Sequence, residues 1–290
     1  MTQLVDQYCT DDVALYHGDN VEAIRGIPEN TIDYICYSPP FASLYTYSDS
    51  ERDMGNVRTY EEFFAQYGFL SQELLRVLKP GRLLSLHCMA IPMSLVHDGV
   101  IGLYDFRGDL VRHHQNEGWT YHSEVTIWKD PVTQMQRTKS LGLLYKQVRK
   151  DSAMSRQGLP DYLVTLRKPG VNPDPVTHTP DDFPLPLWQR YASPVWMDIN
   201  PNNTLQRTSA REERDERHIA PLQLEVIKRG IQLWTNPGDV VLDPFMGIGS
   251  TAVVAIRMGR RVVGCELKAS YYAQAVENVK QAANQLSLFT

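Results

Sequence analysis

Ser38-Pro39-Pro40-Phe41 follows directly on IDYICY, a run with the β-branched and aromatic make-up of a strand. Two prolines fix φ and remove two N–H donors, so the loop is stiff and presents carbonyls outward. The Ser38 hydroxyl and the Pro39 carbonyl can each accept a hydrogen bond from an amino group. An aromatic amine is a poor nucleophile because its lone pair is delocalised into the ring. Drawing both of its hydrogens into directed hydrogen bonds favours a pyramidal nitrogen whose lone pair can attack a sulfonium methyl in line. That is catalysis by positioning and electrostatics, without a general base. Phe41 adds a flat face on which an extruded base can stack. The plainer alternative for these four residues is a proline turn that closes a strand.

A second constellation runs from Val240 to Thr251, VVLDPFMGIGST, with the order strand, glycine turn, helix start. Gly247 and Gly249 let the backbone bend tightly and approach a ligand that a Cβ would keep away. The helix opening at Ser250 offers unpaired N–H groups. Glu266 ends the next strand, where an acid can accept both ribose hydroxyls of a nucleoside. GIGSTA also fits the G-x-G-x-x-A turn of a nicotinamide dinucleotide enzyme. Asp243-Pro244 ahead of the glycines separates the two readings, since a carboxylate there suits the ammonium of a methionine moiety and would repel a pyrophosphate.

The elements that must position these loops alternate short apolar runs with longer amphipathic stretches, the βαβ signature of a mostly parallel sheet. Strands are expected at VALYHGD and TIDYICYSPP, with a short helix over Val21 to Gly26 between them. EEFFAQYGFLSQELLRVLKPG reads as a helix stopped by Pro80 and Gly81, followed by the strand RLLSLHC, a helix near Asp105 to Gly118 and the strand YHSEVTIW. From Asp130 to Arg217 the chain is rich in proline, polar residues and aromatics, and is expected to be an inserted region of long loops with no further βα layer. Regular alternation returns at His218: the helix APLQLEVIKRGIQLW, the strand GDVVLD, the helix GSTAVVAIRMG, the strand RRVVGCE and the final helix SYYAQAVENVKQAANQL.

S-P-P-F together with D-P-F-M-G-I-G-S-T closely resembles the amino-methylating (adenine-N6 or cytosine-N4) DNA methyltransferases, in the permuted β group whose catalytic motif precedes its cofactor motif. The resemblance extends over most of the chain through His17-Gly18-Asp19-Asn20, LKPGRLLSLHC, VTIWKD, VWMDI and HIAPLQLEVIKRGI, in the family's order. It implies an α/β, Rossmann-like S-adenosylmethionine-dependent methyltransferase fold, with helices on both faces of a mostly parallel twisted sheet. It divides the chain into a catalytic half (1–129), a loop-rich target-recognition region (130–217) and a cofactor-binding half (218–290). Ser38, Pro39, Pro40 and Phe41 would hold and stack the target base. Asp19, Asn20, Asp243, Pro244, Phe245, Gly247, Gly249, Ser250, Thr251 and Glu266 would surround S-adenosyl-L-methionine, with Asp19 reaching its adenine. His218 and Pro221 begin the segment that resembles the helix closing over the methionine end. The motif departs from the adenine pattern at Ser38: adenine enzymes usually open it with Asp or Asn, and Ser is typical of cytosine-N4 members. Adenine enzymes are the commoner class, and the expectation leans narrowly to adenine. More remote alternatives are an RNA or protein-amide methyltransferase and a catalytically silent DNA-binding protein.

Composition sets outer limits. The 290 residues are 42% hydrophobic, enough for one large α/β domain or one domain carrying a substantial insertion. No apolar run reaches the roughly 20 residues of a membrane span, and MTQLVDQYCTDD has acids where a secretory signal carries bases, so a soluble, cytoplasmic protein is expected. Cys9, Cys36, Cys88 and Cys265 are far apart and form no C-x-x-C pair, and no metal is expected. The net charge of −5 weighs mildly against phosphate contacts. Locally, however, Lys129, Arg137, Lys139, Lys146, Arg149, Lys150, Arg156, Arg167 and Lys168 form a basic stretch interrupted only by Asp130, Asp151 and Asp161. Double-stranded DNA is the expected partner of this stretch, and a solvated basic face is the alternative. The end, Gln285-Leu286-Ser287-Leu288-Phe289, resembles the short peptide with which bacterial proteins dock on the sliding clamp; fraying of the last helix would equally explain it. A homodimer is admitted by the sequence but not required.

Overall fold

The computed structural model describes residues 4–41, 54, 57, 59–93, 98–132, 145–205 and 221–287. In chain order these form β1 (Asp6–Cys9), β2 (Val13–His17), α1 (Asn20–Arg25), β3 (Ile32–Tyr37), α2 (Tyr60–Val77) and β4 (Leu78–Cys88). A small hairpin of β5 (Ile91–Met93) and β6 (Gly102–Tyr104) precedes α3 (Phe106–Asn116), β7 (Thr120–Ile127), α4 (Tyr145–Asp151), β8 (Asp161–Arg167), α5 (Leu185–Tyr191) and β9 (Val195–Trp196). The last part holds α6 (Leu224–Trp234), β10 (Val240–Asp243), α7 (Ser250–Arg257), β11 (Arg261–Glu266) and α8 (Ala269–Ser287).

Among the described residues one nine-stranded sheet has the order β1-β2-β11-β10-β3-β4-β8-β7-β9. From β2 to β4 the strands are parallel. β8 is antiparallel to β4 and β7, β1 is antiparallel to β2, and β9 is parallel to β7. After β10 the chain moves through α7 to β11 on one side, while β3 leads through α2 to β4 on the other. The crevice beyond the carboxyl ends of β10 and β3 is therefore a switch point, where open parallel sheets bind ligands.

All six residues of β3 are buried, because helices cover both faces of its sheet. Ile35 and Tyr37 enter one apolar cluster, with Ala23 and Ile24 of α1, Phe63 and Leu70 of α2 and Phe106 of α3. Tyr34 and Cys36 enter the other, with Val226 and Ile231 of α6, Ala252 of α7 and Ala275 of α8. Capping sets the helix starts: Asp19 accepts the Glu22 N–H at 3.0 Å, and Thr59 accepts the Glu62 N–H at 3.1 Å.

Charge staples the opposite, amino edge of the sheet. Asp33 of β3 meets Arg82 Nη2 at 2.9 Å and Lys79 Nζ at 2.7 Å, both on β4, and accepts the Val240 N–H of β10 at 2.9 Å. Arg82 also reaches Asp239 at 2.8 Å. Asp33 and Arg82 are each 2% exposed, so this network holds three adjacent strands in dry surroundings.

The structure departs from expectation in two places. Residues 130–217 are not all outside the sheet: β8 lies between β4 and β7, and β9 pairs with β7. A short strand between proline-rich loops finds its partners through packing that its flanks do not announce. Arg229 of α6 anchors the same region. Fully buried, it lies 4.9 Å from the Tyr191 ring and 4.8 Å from that of Trp196, and it pairs with Asp198 at 2.8 Å and Glu225 at 3.1 Å. The second departure is at Pro80-Gly81. Helix α2 already ends at Val77 and β4 begins at Leu78. Gly81 sits at φ +72°, where a Cβ would come within 2.5 Å of the Asn172 backbone nitrogen. Among the described residues no helix is long and apolar enough to cross a membrane.

Candidate active site at the carboxyl edge of the sheet

β10 pairs in parallel with β3, Leu242 opposite Ile35. The Ser38 loop and the Asp243 loop therefore leave the same edge of the sheet from neighbouring strands. Tyr37, just before Ser38, places its ring 5.8 Å from that of Phe245, and its buried hydroxyl meets that of Tyr67 on α2. The Thr251 hydroxyl reaches toward the Cys36 carbonyl at 3.5 Å. The end of β3 thus touches the segment after β10 through the Tyr37 and Phe245 rings and through the Thr251 hydroxyl.

Asp243 is 4% exposed and accepts the Phe245 N–H at 3.0 Å. Burial pushes its carboxyl up to about 6, even though hydrogen bonds from Thr251 and the Phe245 N–H pull the other way. A carboxylate so poorly solvated gains from an incoming cation. The same charge, after burial, helps to push the Cys36 thiol up to about 12, so this neighbour stays a neutral thiol. Beside Asp243 the turn runs through Gly247 at φ +56° and Gly249 at φ +87°, and a Cβ on Gly249 would lie 3.1 Å from that of Ala275. Ser250 and Thr251 open α7 directly behind it.

Glu266 ends β11 and is held from two sides: Oε2 accepts the Gly247 N–H and Oε1 the Lys268 N–H, both at 2.8 Å. A carboxylate oxygen carries two lone-pair sites, so each can accept from a ligand hydroxyl as well. Asp19, at the end of the next strand over, caps α1, and its neighbour Asn20 donates to the Pro244 carbonyl at 3.1 Å. Three acids, Asp19, Glu266 and Asp243, thus stand at the ends of the adjacent strands β2, β11 and β10. This set of acceptors fits a ligand with an ammonium, a ribose and a base, and Gly247 leaves open space where a Cβ would stand.

A family profile described as DNA methylase, the N6/N4 methyltransferases, matches residues 32–277. The chain belongs to this DNA methylase family. The orphan methyltransferase M.BamHII of Bacillus amyloliquefaciens is 38% identical over 274 residues, covering 88% of this chain and 91% of its own length. The type II methyltransferase M.BamHI of the same organism is 26% identical over 276 residues, covering 90% of this chain; the chain spans only 56% of the length of M.BamHI. TTHA0409 of Thermus thermophilus, solved in complex with S-adenosyl-L-methionine, shares the fold with a TM-score of 0.66 at 22% identity, covering 93% of this chain and 95% of that one.

In this member of the family the sequence-predicted residues divide into three groups. Ser38, Pro39, Pro40 and Phe41 lie together at the end of β3, with both prolines buried and Phe41 packed edge-on against Phe106 at 6.0 Å. Asp19, Asn20, Asp243, Pro244, Phe245, Gly247, Gly249, Ser250, Thr251 and Glu266 surround the adjoining turn, and Pro221 is half-buried ahead of α6. Of the basic residues, Lys146, Arg149 and Lys150 are exposed on α4 and Arg156 is half-buried. Lys129 does not extend into solvent: its ammonium pairs with the buried Asp161. His218, Arg137, Lys139, Leu288 and Phe289 lie outside the described residues. Gln285 lies within α8, where its amide oxygen accepts from Arg257 at 3.3 Å.

Sequence reasoning missed His87 and Asp161, which stand directly behind Ser38. The usable signal was a histidine in the last positions of the strand RLLSLHC, next to the strand that carries the loop.

Proposed function

We propose that this chain transfers the methyl group of S-adenosyl-L-methionine to an exocyclic amino nitrogen of a base flipped out of double-stranded DNA. The observation that carries this reading is the parallel pairing of β3 with β10, which sets an amine-accepting loop beside a loop of buried acid and left-handed glycines on one sheet edge. The cofactor supplies a methyl on a cationic sulfur, which the amine nitrogen takes as the S–CH3 bond breaks. The rest falls to the protein. Asp243 binds the ammonium, Glu266 the ribose and Asp19 the adenine end. Ser38 and the Pro39 carbonyl accept the amine hydrogens, and Phe41 stacks on the base.

Adenine N6 is the first reading for the target, because that class is the commoner. Ser38 favours a second, cytosine N4. Incubation with labelled cofactor and unmethylated DNA, followed by digestion to nucleosides, tests both: the label should appear as one of the two N-methylated nucleosides. Label in neither defeats the proposal.

The exposed face of α4 would follow phosphates, with the loops after β8 shaping groove contacts. We extend the proposal to a bacterial sliding clamp as partner of Gln285 to Phe289. A pull-down with the full chain, and with the last six residues deleted, should show binding only for the former. No binding by the full chain ends the clamp reading.

A further inference from the structure

Behind Ser38 lies a line of side chains that reaches into the sheet. Ser38 Oγ is 3.3 Å from His87 Nδ1 and 3.2 Å from the His87 carbonyl oxygen. Across the ring, His87 Nε2 is 3.0 Å from Asp161 Oδ2, and the other carboxylate oxygen of Asp161 holds Lys129. His87 is 8% exposed and Asp161 only 1%. The fold makes the line possible, because β8 runs antiparallel beside β4 with His87 opposite Leu163 and Cys88 opposite Tyr162. The start of β8 thereby meets the end of β4, beside the loop that leaves β3.

The chemistry of these groups sets a direction. A carboxylate only accepts, so the ring nitrogen facing Asp161 carries the proton and Nδ1 turns its lone pair toward the Ser38 hydroxyl. In the resting arrangement the buried Nε2 has no hydrogen-bond partner among the described residues, although Asp161 stands 3.0 Å away. A buried donor left in this way calls for a reason. A proton arriving at Nδ1 supplies one, since an imidazolium 3.0 Å from a carboxylate gains a charge-assisted contact. Burial pushes the Asp161 carboxyl up, but its neighbours His87 and Lys129 outweigh it and hold it below its ordinary value. It therefore stays ionised across the neutral range and faces His87 as an anion.

We propose that His87, backed by Asp161, relays away the proton that the target amine loses, acting as a positioning residue through Ser38. This rests on the amino-methylation reading above. As the N–CH3 bond forms and the S–CH3 bond breaks, the nitrogen becomes a methylated ammonium with one proton too many. Ser38 Oγ accepts that proton while passing its own hydroxyl proton to His87 Nδ1. The products are a neutral methylamino group, an unchanged serine and a His87 imidazolium against Asp161. The ring returns the proton to water once the DNA has left.

The test follows tritium from methyl-labelled S-adenosylmethionine into unmethylated bacterial genomic DNA, using the full chain. His87→Ala should lower kcat about 100-fold, the low end for a lost proton acceptor, while KM for DNA and Kd for the cofactor stay within about threefold. Added imidazole should restore roughly tenfold of the lost rate, which a purely structural role would not allow. His87→Asn keeps a hydrogen-bonding group beside Ser38 that cannot carry a proton, and should be as slow as His87→Ala. A folded His87→Asn that turns over at the wild-type rate overturns the relay, as does a slow His87→Ala that imidazole leaves unchanged. A wild-type chain that labels no DNA overturns instead the reading on which the relay stands, and cofactor binding without DNA labelling separates that failure from the relay's own.

Discussion

Asn20 Nδ2 donates to the Pro244 carbonyl at 3.1 Å, so the first residue of α1 holds the turn after β10 across 224 positions of chain. The bond ties the segment expected at the adenine end of the cofactor to the segment expected at its methionine end. Asn20→Ala removes a neutral hydrogen bond worth about 0.5–1.5 kcal/mol. If most of that is felt by the bound state, S-adenosylmethionine affinity should fall roughly two- to tenfold. Asp19 still caps α1, so the melting temperature should move little. Calorimetric titration and a thermal melt of the same variant check both statements.

Asp243 should show opposite effects on stability and binding. Its carboxyl is raised from 3.8 to about 6 by burial, so the folded protein prefers it protonated. The unfolded chain ionises it from pH 3.8 upward. Its penalty is therefore absent below pH 3.8, grows through that window and is complete above pH 6, at roughly 3 kcal/mol. Asp243→Asn should accordingly stabilise the cofactor-free protein in urea unfolding at about pH 8 and leave it nearly unchanged at about pH 3.5. At about pH 8 the same variant should bind S-adenosylmethionine at least about tenfold more weakly, having lost a charge-assisted contact. A variant that is less stable in the alkaline sample, or that keeps full affinity, contradicts the assignment.

The Asp33–Arg82 pair should affect stability alone. Asp33→Asn leaves Arg82 buried with Asp239 as its remaining partner, and breaking a buried pair from one side destabilises by about 3–5 kcal/mol. Asp239 should keep the loss near the lower figure. Because the network lies at the edge of the sheet away from the candidate site, the folded fraction should bind S-adenosylmethionine as the wild type does. Denaturant midpoints and calorimetry on the same samples measure the two separately.

Arg149 and Lys150 lie exposed in the last turn of α4. If they follow phosphates, replacing both by Ala should weaken binding to all duplexes alike and flatten the plot of log K against log salt by about 1 to 2. An altered preference among duplexes with the salt slope preserved would assign them to base reading instead. Lys129 is a poor choice for such an experiment, because its charge is already committed to Asp161.

Much of the candidate site was legible because its signals are local. Ser38-Pro39-Pro40-Phe41 and the Asp243-to-Thr251 turn each state their backbone constraints within a few residues, through proline, left-handed glycine and a flanking strand. Glu266 was readable for the same reason, as an acid closing a strand, whereas Asp19 was singled out only through the family resemblance. Short apolar runs bounded by turn residues placed β3, β10 and β11 as strands, since a strand covered on both faces must be apolar along its length.

What the sequence by itself determined, then, is most strands and helices on either side of residues 130–217, and two short loops whose residue types could carry chemistry. Only the tertiary structure decided which strands are neighbours. DYLVTLR, between proline-rich loops, carried no local mark that it would lie beside β4, and that placement alone brings Asp161 to His87 and His87 to Ser38. It also turned Lys129 from an expected phosphate contact into the partner of a buried carboxylate. The physical reason is common to all three. Backbone preference acts over a few residues, whereas ion pairs, proton routes and strand order depend on distances in space that the folded core sets as a whole.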